Sequence, residues 1–231
     1  MKTVLFITAF VLLSGIYQVN AQTEKPYWGL YGAIALPRGD FGSNDTDEDK
    51  SGLAKTGFGA GVEHTYPLSS PGLSWVSNVS FILNGFDGEA LKDMFEDEDV
   101  DVNVDAGNWI NIPVMTGIKY QLKGSSNMSF YGMAQAGLNF VKGPKIEINS
   151  SVSEYDVKET ITWDFTSSFG FSIGGGIILN EKYAIGIRYL MLGEPDIKTT
   201  AKISINRETE EVKDKKEQPI SILLLTVGIR F

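Results

Sequence analysis

The chain has 231 residues, 20 Lys and Arg against 29 Asp and Glu, and no cysteine. That length allows one sizeable domain or two small ones, and the lack of cysteine excludes disulfides, thiolate metal centres, a cysteine nucleophile and a lipid-modified N-terminal cysteine. A net charge of −9 argues against a nucleic-acid binder, which needs a basic face, and no apolar run reaches the roughly 20 residues of a membrane-spanning helix.

Residues 1–21 read as a secretory signal peptide. Lys2 is the positive start, Val4 to Ile16 the apolar stretch, and Val19-Asn20-Ala21 a small-residue cleavage site. The expected mature domain is 22–231. In it, apolar residues recur at every second position, the period of a strand. Eight such segments are expected: Tyr27–Leu36, Thr56–Tyr66, Leu73–Asn84, Asn108–Leu122, Met128–Val141, Asp164–Leu179, Lys182–Leu192 and Ile220–Phe231.

Each segment has two unequal faces. In the last, Leu223, Leu225, Val227, Ile229 and Phe231 alternate with Ile222, Leu224, Thr226, Gly228 and Arg230. In the sixth, Phe169, Phe171, Ile173 and Ile177 oppose Ser168, Gly170, Ser172, Gly174 and Gly176. The second face is small, glycine-rich and almost uncharged. A soluble sandwich would turn charges outward, whereas a small-residue face suits the crowded inside of a narrow barrel whose bulky face meets lipid.

The connections alternate in length. Pro67–Gly72, Lys123–Asn127 and Asn180–Glu181 are short, while 37–55, 85–107, 142–163 and 193–219 are long. This is the pattern of an up-and-down membrane barrel with short periplasmic turns and long external loops, both termini lying in the periplasm. All but three of the 29 acids, Glu24, Glu63 and Glu181, lie in or at the edges of the long connections. Aromatics gather near strand ends, where interfacial girdles form: Trp28, Tyr66, Trp75, Tyr120, Phe130, Tyr183 and Phe231 toward one rim, Phe58, Trp109, Phe140, Trp163 and Phe165 toward the other. Alternation in Lys145–Asn149, Val157–Trp163 and Lys198–Ile205 predicts hairpins that extend two of the long connections as strands. The fold class is therefore an eight-stranded antiparallel transmembrane β-barrel, all-β, in a bacterial outer membrane. A lipocalin-like carrier is the soluble alternative, and the chain lacks its Gly-x-Trp opening.

By parity Glu63, Lys119, Arg188 and Arg230 point inward, and Tyr31, Gln135 and Asn139 can join them. In a narrow lumen such charges must pair, which predicts a structural polar network rather than an open pore. The single histidine, His64, falls on the outward face with no orienting partner, so no catalytic role is expected. No nucleophile elbow is present. The run Asp45-Thr46-Asp47-Glu48-Asp49-Lys50 has carboxylate spacing like a calcium loop, with Lys50 where an EF-hand needs glycine. Asp45, Asp47 and Asp49, and the denser Glu96-Asp97-Glu98-Asp99, would bind divalent cations only weakly. Asn-x-Ser triplets at Asn78, Asn127 and Asn149 read as chance.

Two stretches carry a resemblance. Phe231, with Ile229 and Val227 at alternate positions, resembles the terminal signal read by barrel-assembly machinery. Trp109-Ile110-Asn111-Ile112-Pro113-Val114-Met115-Thr116-Gly117-Ile118-Lys119-Tyr120 resembles the aromatic-x-x-Ile-Pro…Lys-Tyr strand of PorT-like outer-membrane β-barrels. Pro113 cannot donate to a strand ladder, so a bulge or local irregularity is expected there. The resemblance implies location and architecture. Some members take part in protein secretion, and no residue here selects that role. The expected partners are outer-membrane lipid, the assembly machinery, and proteins that meet the long acidic loops. No cofactor, nucleic acid or enzymatic activity is expected. The main reading is a structural or surface-interaction barrel; the alternative is an accessory subunit of a transport or secretion complex.

Overall fold

A computed structural model describes residues 25–45, 50–93, 101–125, 127–152, 155–205 and 208–231. The segment 1–21 expected to be a signal peptide, Asp47, Asp49 and Glu96 to Asp99 fall outside that set. In chain order the strands are β1 (Tyr27–Arg38), β2 (Ala54–Pro67), β3 (Leu73–Phe86), β4 (Asp101–Ala106), β5 (Asn108–Ser125), β6 (Met128–Lys142), β7 (Ile146–Val152), β8 (Tyr155–Trp163), β9 (Thr166–Leu179), β10 (Tyr183–Met191), β11 (Asp196–Ile205), β12 (Glu208–Glu217) and β13 (Ser221–Arg230). A short helix α1 (Gly88–Asp93) precedes β4.

Eight strands close into an antiparallel barrel in the order β1-β13-β10-β9-β6-β5-β3-β2. They are the eight segments read from the sequence, with ends differing by no more than three residues. The seam sets Gly29 opposite Arg230 and Arg38 opposite Ser221. Leu30, Phe58, Phe81, Ile118, Phe171, Ile187 and Val227 stand exposed on the outer wall. Asn78, Lys119, Gln135, Ser172 and Arg188 are buried inside. An apolar wall of this extent is stable against hydrocarbon and not against water. Among the described residues no helix is long and apolar enough to cross a membrane.

The short connections all lie at the end that carries the termini. The tightest is Asn180-Glu181, where both residues have positive φ (51° and 55°) and Lys182 N–H donates back to Leu179 O at 3.0 Å. Two such residues make the mirror-image turn whose twist matches an antiparallel hairpin. At Pro113 the expected irregularity is a gap in the ladder and not a bulge. The β3–β5 ladder pairs Val79 with Val114 and Ile82 with Asn111 in one unbroken register and merely skips the pairs between them. A missing N–H costs a rung there without moving the strand.

At the other end, the long connections build a second, five-stranded sheet in the order β12-β11-β8-β7-β4. Strands β7, β8 and β11 are the three alternating stretches expected from the sequence. β4 and β12 were not expected. Both are edge strands, and β12 reads Glu-Thr-Glu-Glu-Val-Lys-Asp-Lys-Lys-Glu; charge of that density hides a strand from pattern reading and protects an open edge from unwanted pairing. On one face of this sheet Val102, Ile146 and Ile148 form a small core covered by Phe86 and Leu91.

The girdle needs one correction. Trp28, Trp75, Tyr120, Phe130, Tyr183 and Phe231 are exposed near the terminal rim, and Phe58 and Phe165 near the opposite one, with Phe140 stacked on Phe165. Trp109 and Trp163 do not belong to it. Trp109 is fully buried, edge-on to Phe41 and Trp163 at 5.4 and 5.1 Å, and donates its indole N–H to Gly52 O at 2.9 Å. Its position has the parity of Asn111 and Met115, and parity outweighs proximity to a strand end.

Candidate functional site: a filled lumen beneath an outer sheet

The lumen is packed in layers. Nearest the terminal rim lies a charged cluster. Glu63, on β2, accepts from Lys119 Nζ of β5 at 2.7 Å through one carboxylate oxygen. Its other oxygen accepts from an Arg188 Nη of β10 at 3.0 Å. The second Nη of Arg188 donates to the Tyr31 hydroxyl at 3.2 Å, and that hydroxyl shares a hydrogen bond of 2.5 Å with Ser80. Five strands thus meet on one carboxylate and its neighbours. Ring faces complete the surroundings: Lys119 lies 4.6 Å from the Tyr131 centroid, Arg188 4.9 Å from Tyr31, and Arg230 3.8 Å from Tyr27. A cation over an aromatic face gains electrostatic stabilisation where water is scarce. Gly61 and Gly186 make this possible, since a Cβ on either would run into the hydroxyl of Tyr31 or Tyr131 respectively.

Above this cluster Asn78 donates to Gln135 at 3.0 Å, and Asn139 to Asn111 at 2.9 Å. Above the amides an apolar plug closes the barrel. Ile82, Met115, Leu190, Ile222 and Leu224 fill the bore, and Phe41, Trp109, Leu192, Ile197 and Ile220 continue the plug toward the second sheet. A charged layer, an amide layer and an apolar plug thus stand in series along the bore.

Of the inward residues read from parity, Glu63, Lys119, Arg188 and Tyr31 converge. Gln135 and Asn139 lie in the amide layer, and Arg230 sits on Tyr27 without reaching Glu63. Sequence reading missed Tyr27, Tyr131, Asn78 and Ser80 as members of the network. Tyr27 shares the parity of Tyr31, and Tyr131 that of Gln135, so the same count could have found both. His64 is on the outer wall, 4.6 Å from the ring of Trp28. Val227, Ile229 and Phe231 are exposed on that wall as well. Of the candidate cation-loop residues only Asp45 is described; its backbone N–H donates to Ser43 Oγ at 3.2 Å. Among the described residues no group of three or more His, Asp or Glu is arranged to hold a metal ion.

The outer sheet is the other candidate surface. Three of its acids are tied to lysines: Glu147 to Lys145 and to Lys158 (3.1 Å), Glu211 to Lys213 (3.1 Å), and Asp196 to Lys215 (2.8 Å). Opposing residues share a face, so Lys198 with Lys215, Thr200 with Lys213 and Lys202 with Glu211 line one side of the β11–β12 pair. Asp196 opposite Glu217 lies on the same side, so four lysines face three acids there.

A profile of the outer membrane protein beta-barrel domain family matches residues 6–213. Among solved structures, Neisserial surface protein A is similar at 13% identity, covering 89% of this chain and 95% of that one with a TM-score of 0.45. OprG from Pseudomonas aeruginosa is similar at 11% identity, covering 93% and 99% with a TM-score of 0.46. Ail, the attachment invasion locus protein of Yersinia pestis, is similar at 12% identity, covering 91% and 100% with a TM-score of 0.39. A search of the curated proteins found no match.

Proposed function

Given that this chain belongs to the outer membrane protein beta-barrel domain family, we propose that it is a non-conducting anchor in the bacterial outer membrane that holds a binding sheet outside the cell. The observation that carries this reading is the five-stranded sheet built from the long connections above a lumen already filled by side chains. A barrel meant to pass solutes would leave its bore open. A barrel meant only to anchor would not need three long connections folded into a second sheet. On this reading the short turns and both termini face the periplasm. The charged outer sheet meets ligands or partner proteins by binding, not catalysis, and the charged cluster of the lumen is a structural plug.

The test compares the mature chain with a variant in which residues 195–218 are replaced by a two-residue Asn-Gly turn. Both should run as heat-shifted barrels and show no conductance in planar bilayers. Only the intact chain should cross-link to surface partners through a reactive group placed at Lys158, an exposed β8 residue that both chains retain. Open-channel conductance by the intact chain, or identical cross-linking by both, would defeat the reading.

A second reading makes the protein an accessory subunit of a transport or secretion complex. The likeness of Trp109–Tyr120 to the PorT-like strand favours it. Stoichiometric partners retained through purification in mild detergent, independent of residues 195–218, would support that reading over the first.

A further inference from the structure

The charged layer of the lumen contains a cavity of about 30 Å3, walled by Glu63, Lys119, Arg188, Arg230, Tyr31 and Tyr131. A cavity needs roughly 10–15 Å3 of such space to hold one water-sized occupant. Its charge is unbalanced. Three cationic side chains and one carboxylate line it, and both carboxylate oxygens are already engaged, by Lys119 at 2.7 Å and Arg188 at 3.0 Å.

Its hydrogen bonding is unbalanced in the same sense. Arg188 is 4% exposed. Its two Nη atoms donate to Glu63 and Tyr31, while its buried Nε has no acceptor among the described residues. Arg230 has buried Nε and Nη1 atoms with no acceptor there either. The Tyr27 ring covers the face of the Arg230 guanidinium and leaves its N–H edge unanswered. Buried donors in folded proteins nearly always find acceptors, and guanidinium groups stay charged at any working pH. A neutral molecule could accept some of these bonds, but it would leave the charge excess in place.

We propose that this cavity binds one small monovalent anion of chloride size, held by the N–H edges of Arg188 and Arg230. The anion offsets one of the two excess positive charges. The site lies inside the barrel, away from the outer sheet, and stands whether or not that sheet binds a partner.

The deciding experiment is a crystal of the detergent-solubilised mature protein grown in sodium bromide. The expected result is an anomalous peak within hydrogen-bonding distance of Arg188 and Arg230. In parallel, the midpoint of the heat-induced mobility shift should be about 3 °C higher in chloride or bromide than in gluconate at equal ionic strength. Arg230→Gln should abolish that difference and Arg230→Lys should retain part of it. No bromide peak in the cavity overturns the proposal, and so does a chloride effect that Arg230→Gln leaves at full size. If Arg230→Gln does not fold, the bromide peak in the unaltered protein decides.

Discussion

At the scale of single residues, Glu63 is the hinge of the lumen. It is the one acid on the inward face of the described barrel strands, and two cations from different strands depend on it. Glu63→Gln would leave Lys119 and Arg188 buried without a counter-charge. Breaking a buried pair this way costs about 3–5 kcal/mol. The unfolding midpoint in detergent should fall accordingly, and Arg188→Met in the same background should recover part of the loss. Full independence of the two substitutions would show that the contact contributes nothing. This cluster was legible because the strand period is two and the inward faces are otherwise nearly free of charge. Its tyrosines were less legible, because an aromatic on a strand reads equally well as wall, girdle or core. Trp109 shows the same ambiguity. Its place near a strand end suggested an interface, yet it holds the apolar plug together.

At the scale of elements, the β9–β10 turn and the β7–β8 hairpin make separate claims. Asn180 suits a positive φ; Glu181, at 55°, does not. A non-glycine residue in the left-handed region costs about 1–2 kcal/mol. Glu181→Gly should therefore raise the unfolding midpoint by the equivalent of about 1 kcal/mol, after the added chain entropy of glycine is subtracted. A lowered midpoint would contradict the turn geometry.

In the outer sheet, hydrogen bonds from Lys145 and then Lys158 hold the Glu147 carboxyl below the ordinary glutamate range. A depressed folded-state pKa stabilises the sheet at pH values above the unfolded value. That contribution fades only as the pH falls through the folded one. Carboxyl chemical shifts should therefore show Glu147 titrating at lower pH than an unpaired glutamate, and Lys158→Met should move it upward. The hairpins of β7, β8 and β11 were legible by alternation. The edges β4 and β12 were not, because an edge strand is selected for charge and brevity rather than for a buried face.

At the scale of the whole molecule, the barrel supplies the frame and the outer sheet supplies the accessible surface. The orientation can be checked without background labelling, because the chain contains no cysteine. Lys213, whose side chain is 75% exposed, lies on β12; Ser70 is exposed in the short β2–β3 turn. Lys213→Cys should react with a membrane-impermeant maleimide on intact cells, and Ser70→Cys only after the outer membrane is permeabilised. The reverse pattern would turn the molecule over. The eight-strand count, the short turns and the acidic long connections were all visible in the sequence, because a narrow membrane barrel forces each of them. The layering of the lumen was not, since it depends on which inward residues share a height, and that is set by register across strands rather than along them.

The seam between β1 and β13 adds a consequence for how the molecule comes into being. Trp28 and Phe231 exchange backbone hydrogen bonds at 3.0 and 2.9 Å, so closure joins the two ends of the barrel sequence. Contacts so distant in sequence form slowly, and until they form both strands are bare templates for pairing. Half of this barrel is therefore not a smaller stable object but an adhesive one. Its survival before closure depends on something else occupying those two edges, and the last strand to arrive must displace that occupant.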